Sequence, residues 1–286
     1  ELFARAAEQD YARAQFFLGL HYEHGQGVEK DMARAVQLYT RAAEQNYPEG
    51  VRALGVCYEG GLGVEKDPQK VIYWLEEAAK PLAAVQTELM PLDLCDPASF
   101  AFLEEKLRLE HPNITVFINC AGCGYLGAVG EMPTSTQTRM VDLNLRALTA
   151  LTNMAIPYMR KGAHLINVSS IASFCPNPRM TVYSSSKAYV SSFTLGVAEE
   201  LRHKGITATA VCPGPMETEF LDVGGITGNS PMFASLPYCD QVRVVSGTLR
   251  AARAGRIFYT PRAFYKFYRL LAKMLPHELL VKFVKT

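Results

Sequence analysis

A 36-residue internal repeat is the feature of this sequence that most restricts its fold. The stretch RAAEQDYARAQFFLGLHYEHGQGVEKD, which begins at Arg5, returns as RAAEQNYPEGVRALGVCYEGGLGVEKD from Arg41. Aromatic, glycine and acidic positions recur in register at this offset, in the pairs Tyr11 and Tyr47, Gly19 and Gly55, Tyr22 and Tyr58, Gly27 and Gly63, and Asp31 and Asp67. A fixed period of this length is typical of a solenoid, in which each unit is a pair of helices that packs on its neighbours.

Two helical patterns flank a glycine turn in each unit. In the first unit, Ala14 and Leu18 have helical spacing, the turn begins at Gly25, and Asp31 is a predicted N-cap of the second helix. The pattern resembles the Sel-one-like repeats, relatives of the tetratricopeptide repeats, over residues 1 to about 79. The resemblance implies a scaffold for a protein partner, and the alternative is a stack without a ligand of its own. Residues 1–6 match the end of a unit, so we expect the chain to begin inside an earlier repeat.

After Lys80 the sequence changes to short β-branched runs that alternate with longer amphipathic stretches. Four clear strands are predicted, beginning at Thr115, His164, Ile206 and Gly255. Helical patterns cover residues 134–160 and 181–203, and a fragmentary earlier pair consists of a run from Val85 and a helix over 97–110. Strands and helices in alternation predict a parallel sheet covered on both faces. The expected domains are 1–80 and 81–286.

Charge and cysteine content limit the partners and the compartment. The net charge is +1 and basic residues form no large cluster, so we do not expect a nucleic-acid partner. No apolar run approaches the ~20 residues of a membrane span, and a membrane partner is not expected. The seven cysteines are odd in number and scattered, which suits reduced thiols in the cytoplasm. Cys120 and Cys123 form a CxxC without a second ligand pair, so no metal site is predicted.

Tyr183 and Lys187 lie four positions apart in the helical pattern TVYSSSKAYV, and therefore share one face of the helix. Alone, this spacing also describes two ordinary side chains on an amphipathic helix. Other marked residues lie where the predicted strands end, at the edge of a parallel sheet where chemistry gathers. They are Asn119, Ala121 and Gly122 after the first strand, Ser170 after the second, and Pro213, Gly214 and Thr218 after the third.

Together with Asn144 in VDLNLRAL, this order and spacing resembles the short-chain dehydrogenase/reductase family over residues 85–286. The resemblance implies NAD or NADP as cofactor and a small alcohol or carbonyl compound as substrate. It implies a catalytic set of Asn144, Ser170, Tyr183 and Lys187. It also implies cofactor contacts from Asp93, near the adenine, and from Asn119, Ala121, Gly122, Pro213, Gly214 and Thr218.

The chemistry of hydride transfer explains why these side chain types belong together. A proton must move to or from the substrate oxygen, and an ordinary tyrosine, with a pKa of about 10, is a poor acid–base group at neutral pH. We expect the Lys187 cation to favour the phenolate of Tyr183 and, by the resemblance, to bond the nicotinamide ribose. Ser170 would donate to the substrate oxygen, and Asn144 would hold a water beside Lys187. Alternatively, Ser170 merely ends a strand, Asn144 bonds its own backbone, and Pro213–Gly214 is only a turn.

The glycine-rich TGxxxGxG turn that holds the cofactor pyrophosphate in this family is absent from the sequence. The glycines of the first 80 residues follow helices and recur with the repeat, so we reject them as phosphate loops. The expected fold is an α-helical repeat, a short solenoid, followed by an α/β Rossmann-like parallel sheet that lacks its first strands. Its strand at Thr115 should then be an apolar exposed edge. The alternative function is a helical-repeat interaction module that carries a degenerate, inactive reductase half.

Two further segments allow two interpretations each. Residues 215–240 are rich in Gly, Pro and Met, and predict either a mobile flap over the substrate or a surface loop. The tail FYKFYRLLAKMLPHELLVKFVK is amphipathic and basic, which suits a membrane-surface or partner helix. We favour a helix packed on its own domain.

Overall fold

The computed structural model describes residues 6–45, 47–67, 69–71, 73–74, 88–226, 230, 233 and 235–284. The chain divides into two compact units, Glu1–Leu92 and Asp93–Thr286. The predicted join at Lys80 and Pro81 lies outside the described residues, as do residues 1–5 of the partial repeat predicted for residues 1–6.

The first unit contains three helices of the predicted repeat, and most of the helix predicted after Asp67 lies outside the described residues. They are α1 (Ala12–His24), α2 (Met32–Glu44) and α3 (Pro48–Gly60). Gly25 and Gly61 end α1 and α3 in the left-handed conformation, with φ of 68° and 69°, which glycine adopts without a steric penalty. Asp31 caps α2 as predicted, because its side chain accepts a hydrogen bond from the Arg34 backbone N–H at 2.9 Å.

Close packing of α1 against α2 leaves no room for a side chain at Gly19. The Tyr39 ring is fully buried and packs on Phe16, with ring centroids 5.7 Å apart. A Cβ atom at Gly19 would lie 2.5 Å from this ring. The tyrosine hydroxyl donates a hydrogen bond to Glu23, so the polar end of the buried side chain is satisfied.

The second unit alternates helices with strands. Its helices are α4 (Pro97–Glu110), α5 (Thr134–Val141), α6 (Leu148–Ala155), α7 (Thr181–Leu201), α8 (Glu219–Val223), α9 (Gln241–Arg253), α10 (Ala263–Met274) and α11 (His277–Leu280). Its strands are β1 (Ile114–Asn119), β2 (Met159–Val168), β3 (Thr207–Val211) and β4 (Phe258–Tyr259). A π-helical segment, Asp142–Ala147, joins α5 to α6, and 3-10 turns occupy Ile156–Tyr158, Ile171–Ser173 and Arg202–Lys204.

The four strands form one parallel sheet in the order β1-β2-β3-β4. Leu165 and Ala208 face α7, in a buried cluster that includes Val197 and Leu201. The alternate side chains Ile166 and Val211 lie in a cluster with Val244 of α9. Helices therefore cover both faces, which confirms the predicted α/β class.

Two predicted boundaries are wrong. The helical pattern over residues 134–160 ends early, because α6 stops at Ala155 and Pro157 directs the chain into a 3-10 turn. Strand β2 consequently begins at Met159, five residues before the predicted start at His164. The run from Val85 gives no strand over residues 88–93, and residues 85–87 lie outside the described part of the chain.

Strand β1 is an edge of the sheet within the described residues, as expected. Val116 and Ile118 are 43% and 51% exposed. An apolar strand with one unpaired side offers its backbone N–H and C=O groups to another strand.

The tail forms α10 and α11. Tyr265 and Ala272 of α10 are buried against the domain, which confirms the packing prediction for that side of the helix. No helix in the described ranges is both long and apolar enough to cross a membrane.

Candidate active site

Three loops meet at the carboxyl ends of the first three strands. Gly122 follows β1, Ser170 follows β2, and Pro213 and Gly214 follow β3. All four residues line one cavity of about 480 Å³, and Thr218 lines it as well. The sheet edge predicted to carry the chemistry therefore surrounds a cavity of ligand size.

Ser170 and Tyr183 meet inside this cavity. The Ser170 hydroxyl lies near enough to the Tyr183 side chain to lower its pKa. It also accepts a bond from the Ala172 backbone N–H at 3.1 Å, which fixes its position in the turn after β2. Tyr183 is 7% exposed, and its ring packs against Phe220 at a centroid distance of 5.4 Å. The phenol and the serine hydroxyl are thus near enough to contact one substrate oxygen.

Lys187 lies one helical turn beyond Tyr183 on α7 and is 6% exposed. Its Nζ donates to the Val168 carbonyl at 2.9 Å and lies 5.8 Å from the centre of the Tyr183 ring. Ser169 ties α7 to the end of β2, because its hydroxyl donates to the Lys187 carbonyl at 2.9 Å. The structure therefore brings Ser170, Tyr183 and Lys187 together around one cavity.

Burial sets the protonation of both α7 side chains. Desolvation raises the pKa of Tyr183 to about 12, although the Ser170 hydroxyl acts in the opposite direction. Desolvation also lowers the pKa of Lys187 to about 8, against the raising effect of the nearby Cys120, Cys123 and Cys212 thiols. The lowering of the tyrosine pKa that the sequence led us to expect is not found, since desolvation raises this pKa more than the Ser170 hydroxyl lowers it.

Asn144 lies beside the cavity rather than in its lining. Its side chain accepts from the Cys123 N–H at 2.9 Å and donates to the Cys123 carbonyl at 2.8 Å. A further bond from its Nδ2 reaches the Ser186 hydroxyl at 3.0 Å. Asn144 therefore joins the loop after β1 to α7, and bonds a distant backbone segment rather than its own. It sits in the π-helical segment, a distortion that often occurs at functional sites.

Gly122 lines the cavity and lies close to two polar side chains. A Cβ atom at this position would lie 3.1 Å from Asn144 Oδ1 and 3.3 Å from Lys187 Nζ. The absence of a side chain at Gly122 therefore lets the loop after β1 approach both groups closely. Lys187, Pro213 and Gly214 are the residues that would hold the nicotinamide and its ribose.

Three further residues predicted to contact the cofactor lie outside the lining of the cavity. Asn119 is buried and donates to Asn167 at 2.8 Å and to Thr152 at 2.9 Å, so it links β1 to β2 and α6. Ala121 is exposed and does not line the cavity. Asp93 accepts from the Cys95 N–H at 2.8 Å and lies 3.7 Å from Arg139, also outside the lining. Its contact with an adenine stays a prediction.

Sequence reasoning missed the apolar wall of the cavity. These lining residues come from the segment after β3 and from the tail: Met216, Phe220, Leu221, Phe233, Leu236, Phe264, Tyr265, Tyr268, Phe283 and Val284. The composition of residues 215–240 was a usable signal, and the described part of that segment does border the cavity. The tail gave no such signal, because its aromatic residues fit ordinary helix packing equally well.

The cysteines form no metal site in the described ranges of the chain, where no cluster of three ligand side chains occurs. Cys120 is exposed, Cys123 is half-buried, and both thiols are free. Burial raises the pKa of Cys123, which opposes a reactive thiolate.

Comparison with known proteins supports both halves of the sequence analysis. Residues 12–47 match the Sel1 repeat. An uncharacterized oxidoreductase of Staphylococcus saprophyticus is 30% identical over 151 residues, which cover 50% of this chain and 64% of that protein. The NAD-dependent 2-dehydro-3-deoxy-L-rhamnonate dehydrogenase of a Sphingomonas species is 32% identical over 149 residues, 49% of this chain and 60% of that protein. The chain thus spans less than two thirds of the length of these relatives.

A short-chain dehydrogenase from Sphingobium yanoikuyae, solved in complex with NADPH, has the same fold. Its TM-score is 0.59 at 24% identity, over 73% of this chain and 84% of that chain. The family pattern described as short chain dehydrogenase matches residues 64–223, more than half of the sequence. This chain belongs to the short-chain dehydrogenase family.

Proposed function

We propose that this chain is an oxidoreductase of the short-chain dehydrogenase/reductase type, with hydride transfer between NAD or NADP and an alcohol or carbonyl substrate. Tyr183 is the proposed acid–base residue. The observation that carries the proposal is the meeting of Ser170, Tyr183 and Lys187 at one cavity beyond the strand ends.

The protonation of the site favours the reducing direction. With a pKa of about 12, Tyr183 holds its proton at neutral pH and can donate it to a carbonyl oxygen as that oxygen gains negative charge. The Ser170 hydroxyl donates a second hydrogen bond to the same oxygen. A bound nicotinamide would supply the hydride to the carbonyl carbon. Asn144 holds the loop after β1 beside Lys187 through its hydrogen bond to the Cys123 carbonyl. After each reaction, Tyr183 regains its proton from solvent on this side of the site.

The hydrogen bond from Lys187 Nζ to the Val168 carbonyl fixes the position of this side chain. With a pKa of about 8, Lys187 is mostly cationic at neutral pH. Its charge lies near enough to the Tyr183 ring to stabilise negative charge that develops on the phenol during the reaction. The remaining N–H groups of its ammonium are available to the ribose hydroxyls of a cofactor in the part of the cavity beside Gly122.

The lining of the cavity favours an apolar, uncharged substrate. Phenylalanine, tyrosine, leucine and methionine side chains form most of its wall, and Lys187 is the sole cationic side chain among the described lining residues. A sugar acid such as the substrate named for the Sphingomonas relative would bury a carboxylate against this wall without a dedicated cation. We therefore favour a bulky ketone or the corresponding secondary alcohol.

The alternative function is a protein-interaction module of helical repeats that carries an inactive reductase half. It is favoured by the exposed apolar edge at Val116 and Ile118, and by the absence of the glycine-rich turn from the sequence. In that case the partner is a protein bound by the repeats, and the cavity is a remnant of the family fold.

Cofactor binding separates the two functions. Purified chain is titrated with NADH and with NADPH, and the fluorescence of the reduced nicotinamide is followed. Saturable binding that is lost in Lys187→Met and kept in Lys204→Met, a matched change at an exposed lysine, supports the oxidoreductase. No saturable binding at millimolar cofactor would reject it for this chain.

A further inference from the structure

Helix α10 has an apolar arc that is wider than the surface its own domain covers. Tyr265 and Ala272 face the domain and are buried. Four further apolar side chains follow helical spacing on the adjoining side: Phe264, Phe267, Leu270 and Met274, which are 54%, 63%, 55% and 73% exposed. At 100° per residue these four cover about a third of the helix circumference.

The chain beyond α10 has three further exposed apolar side chains. Leu275, Leu279 and Phe283 are 40%, 50% and 84% exposed. These three residues, together with Phe264, Phe267, Leu270 and Met274, are here named the tail patch. Seven exposed apolar side chains in one segment are uncommon on a soluble monomer, and such a concentration normally marks a contact with another molecule.

Positive charge accompanies the tail patch. Between Arg256 and Val284 the sequence has six lysine or arginine residues and one acid, Glu278, although the whole chain has a net charge of only +1. Lys266 and Lys273 are exposed and lie on α10 beside the apolar arc, and Arg262 and Lys282 are exposed near its two ends. An apolar arc flanked by cations is the arrangement of a helix that lies in the plane of an anionic lipid surface.

A second copy of the chain fits this surface less well. Two-fold packing of the tail patch on itself would bring Lys266 and Lys273 of one copy near the same residues of the other. Like charges held together at an apolar contact oppose association. Anionic lipid headgroups, in contrast, complement every exposed cation around the patch.

We propose that the tail patch binds the surface of an anionic membrane, with α10 parallel to the bilayer plane and its apolar arc among the acyl chains. Phe264 and Phe283 belong both to the patch and to the lining of the cavity. The cavity is therefore bordered by the residues that enter the lipid. This orientation gives an apolar ligand a path from the bilayer to Tyr183.

Vesicle sedimentation tests the proposal on the full chain. We expect binding to phosphatidylcholine vesicles that contain phosphatidylglycerol, weaker binding to pure phosphatidylcholine, and a decrease with added salt. Phe267→Glu with Met274→Glu should lower the affinity at least tenfold, and Lys266→Glu with Lys273→Glu should lower it by about fivefold per charge. Neither pair lines the cavity. Val242→Glu, at an exposed valine of α9 that is 76% exposed, is the matched control and should bind as the unaltered chain does.

Three results would overturn the proposal. One is equal sedimentation with and without anionic vesicles. Another is an equal loss of binding in the Val242→Glu control. The third is a lipid-free dimer in analytical ultracentrifugation that Phe267→Glu with Met274→Glu converts to a monomer, since the patch would then be covered by a second copy.

Discussion

At the scale of single residues, burial decides the chemistry of the site more than the neighbouring charge does. The i, i+4 spacing of Tyr183 and Lys187 correctly predicted that both side chains lie on one face of α7. Spacing contains no information on solvent exposure. Here the loss of solvent raises the pKa of Tyr183 and lowers the pKa of Lys187, so the neutral form of each side chain is favoured. The site is thus prepared to donate a proton rather than to accept one.

Replacement of the phenol tests the proposed donor. Tyr183→Phe removes one oxygen and should lower carbonyl reduction by at least about 100-fold, the usual contribution of a positioned general acid. Cofactor binding and the free energy of unfolding should change little, because the ring and its contact with Phe220 remain. Steady-state kinetics with a bulky ketone gives the comparison. Tyr189→Phe on the same helix, where the hydroxyl bonds Thr149, is the control, and retained reduction in Tyr183→Phe would exclude the assignment.

The buried lysine predicts a pH dependence of stability. Its folded pKa of about 8 lies below the ordinary 10.5, so between these values the unfolded chain binds more protons than the folded chain. Stability therefore rises with pH in this window, by about 2 kcal/mol between pH 7.5 and 9.5. We expect urea unfolding, followed by circular dichroism, to show this rise relative to Lys187→Met. A Lys204→Met control should follow the unaltered chain, and parallel curves for all three proteins would contradict the burial of a titrating Lys187.

At the scale of elements, the packing of α1 against α2 at Gly19 can be tested by one substitution. Gly19→Ala places a methyl group 2.5 Å from the Tyr39 ring and should cost about 1–3 kcal/mol of stability. Trp74, the sole tryptophan, packs against the same buried cluster, so its fluorescence reports the unfolding of the first unit. The same change at Gly196, an exposed position within α7 with open space around it, should instead stabilise the second unit by up to about 1 kcal/mol, as followed by circular dichroism. Equal changes in the free energy of unfolding at Gly19 and Gly196 would show that packing on Tyr39 does not cause the destabilisation.

Most elements were predictable because their patterns are local. The cap at Asp31, helix α7 and the core of β1 follow from periodicity and capping residues. The boundary between α6 and β2 was misplaced because the apolar run continues through it, and only Pro157 marks the change. The π-helical segment at Asn144 has no local signature, since it depends on contacts with the loop at Cys123 and with Ser186.

At the scale of the whole molecule, the site is polar at one end and apolar at the other. The polar end, at the strand termini, could be predicted because family motifs mark it. The apolar end consists of side chains from residues 216–236 and from the tail, which are distant in sequence and share no motif. Two of these side chains, Phe264 and Phe283, also belong to the tail patch, so the proposed substrate class and the proposed membrane contact depend on one segment.

The missing glycine turn leads to a prediction about which part of a dinucleotide this chain recognises. The proposed nicotinamide site is the part of the cavity beside Gly122 and Lys187, whereas the sequence has no turn to hold the pyrophosphate and β1 is an exposed edge. Reduced nicotinamide mononucleotide and NADH should therefore bind with affinities within about tenfold of each other, a difference below about 1.4 kcal/mol. Adenosine diphosphate should not displace either ligand. Fluorescence titration measures all three, with Lys187→Met as the control that weakens both nicotinamide ligands. NADH binding that is far tighter, or displacement by adenosine diphosphate, would show that the chain holds the adenosine half as well.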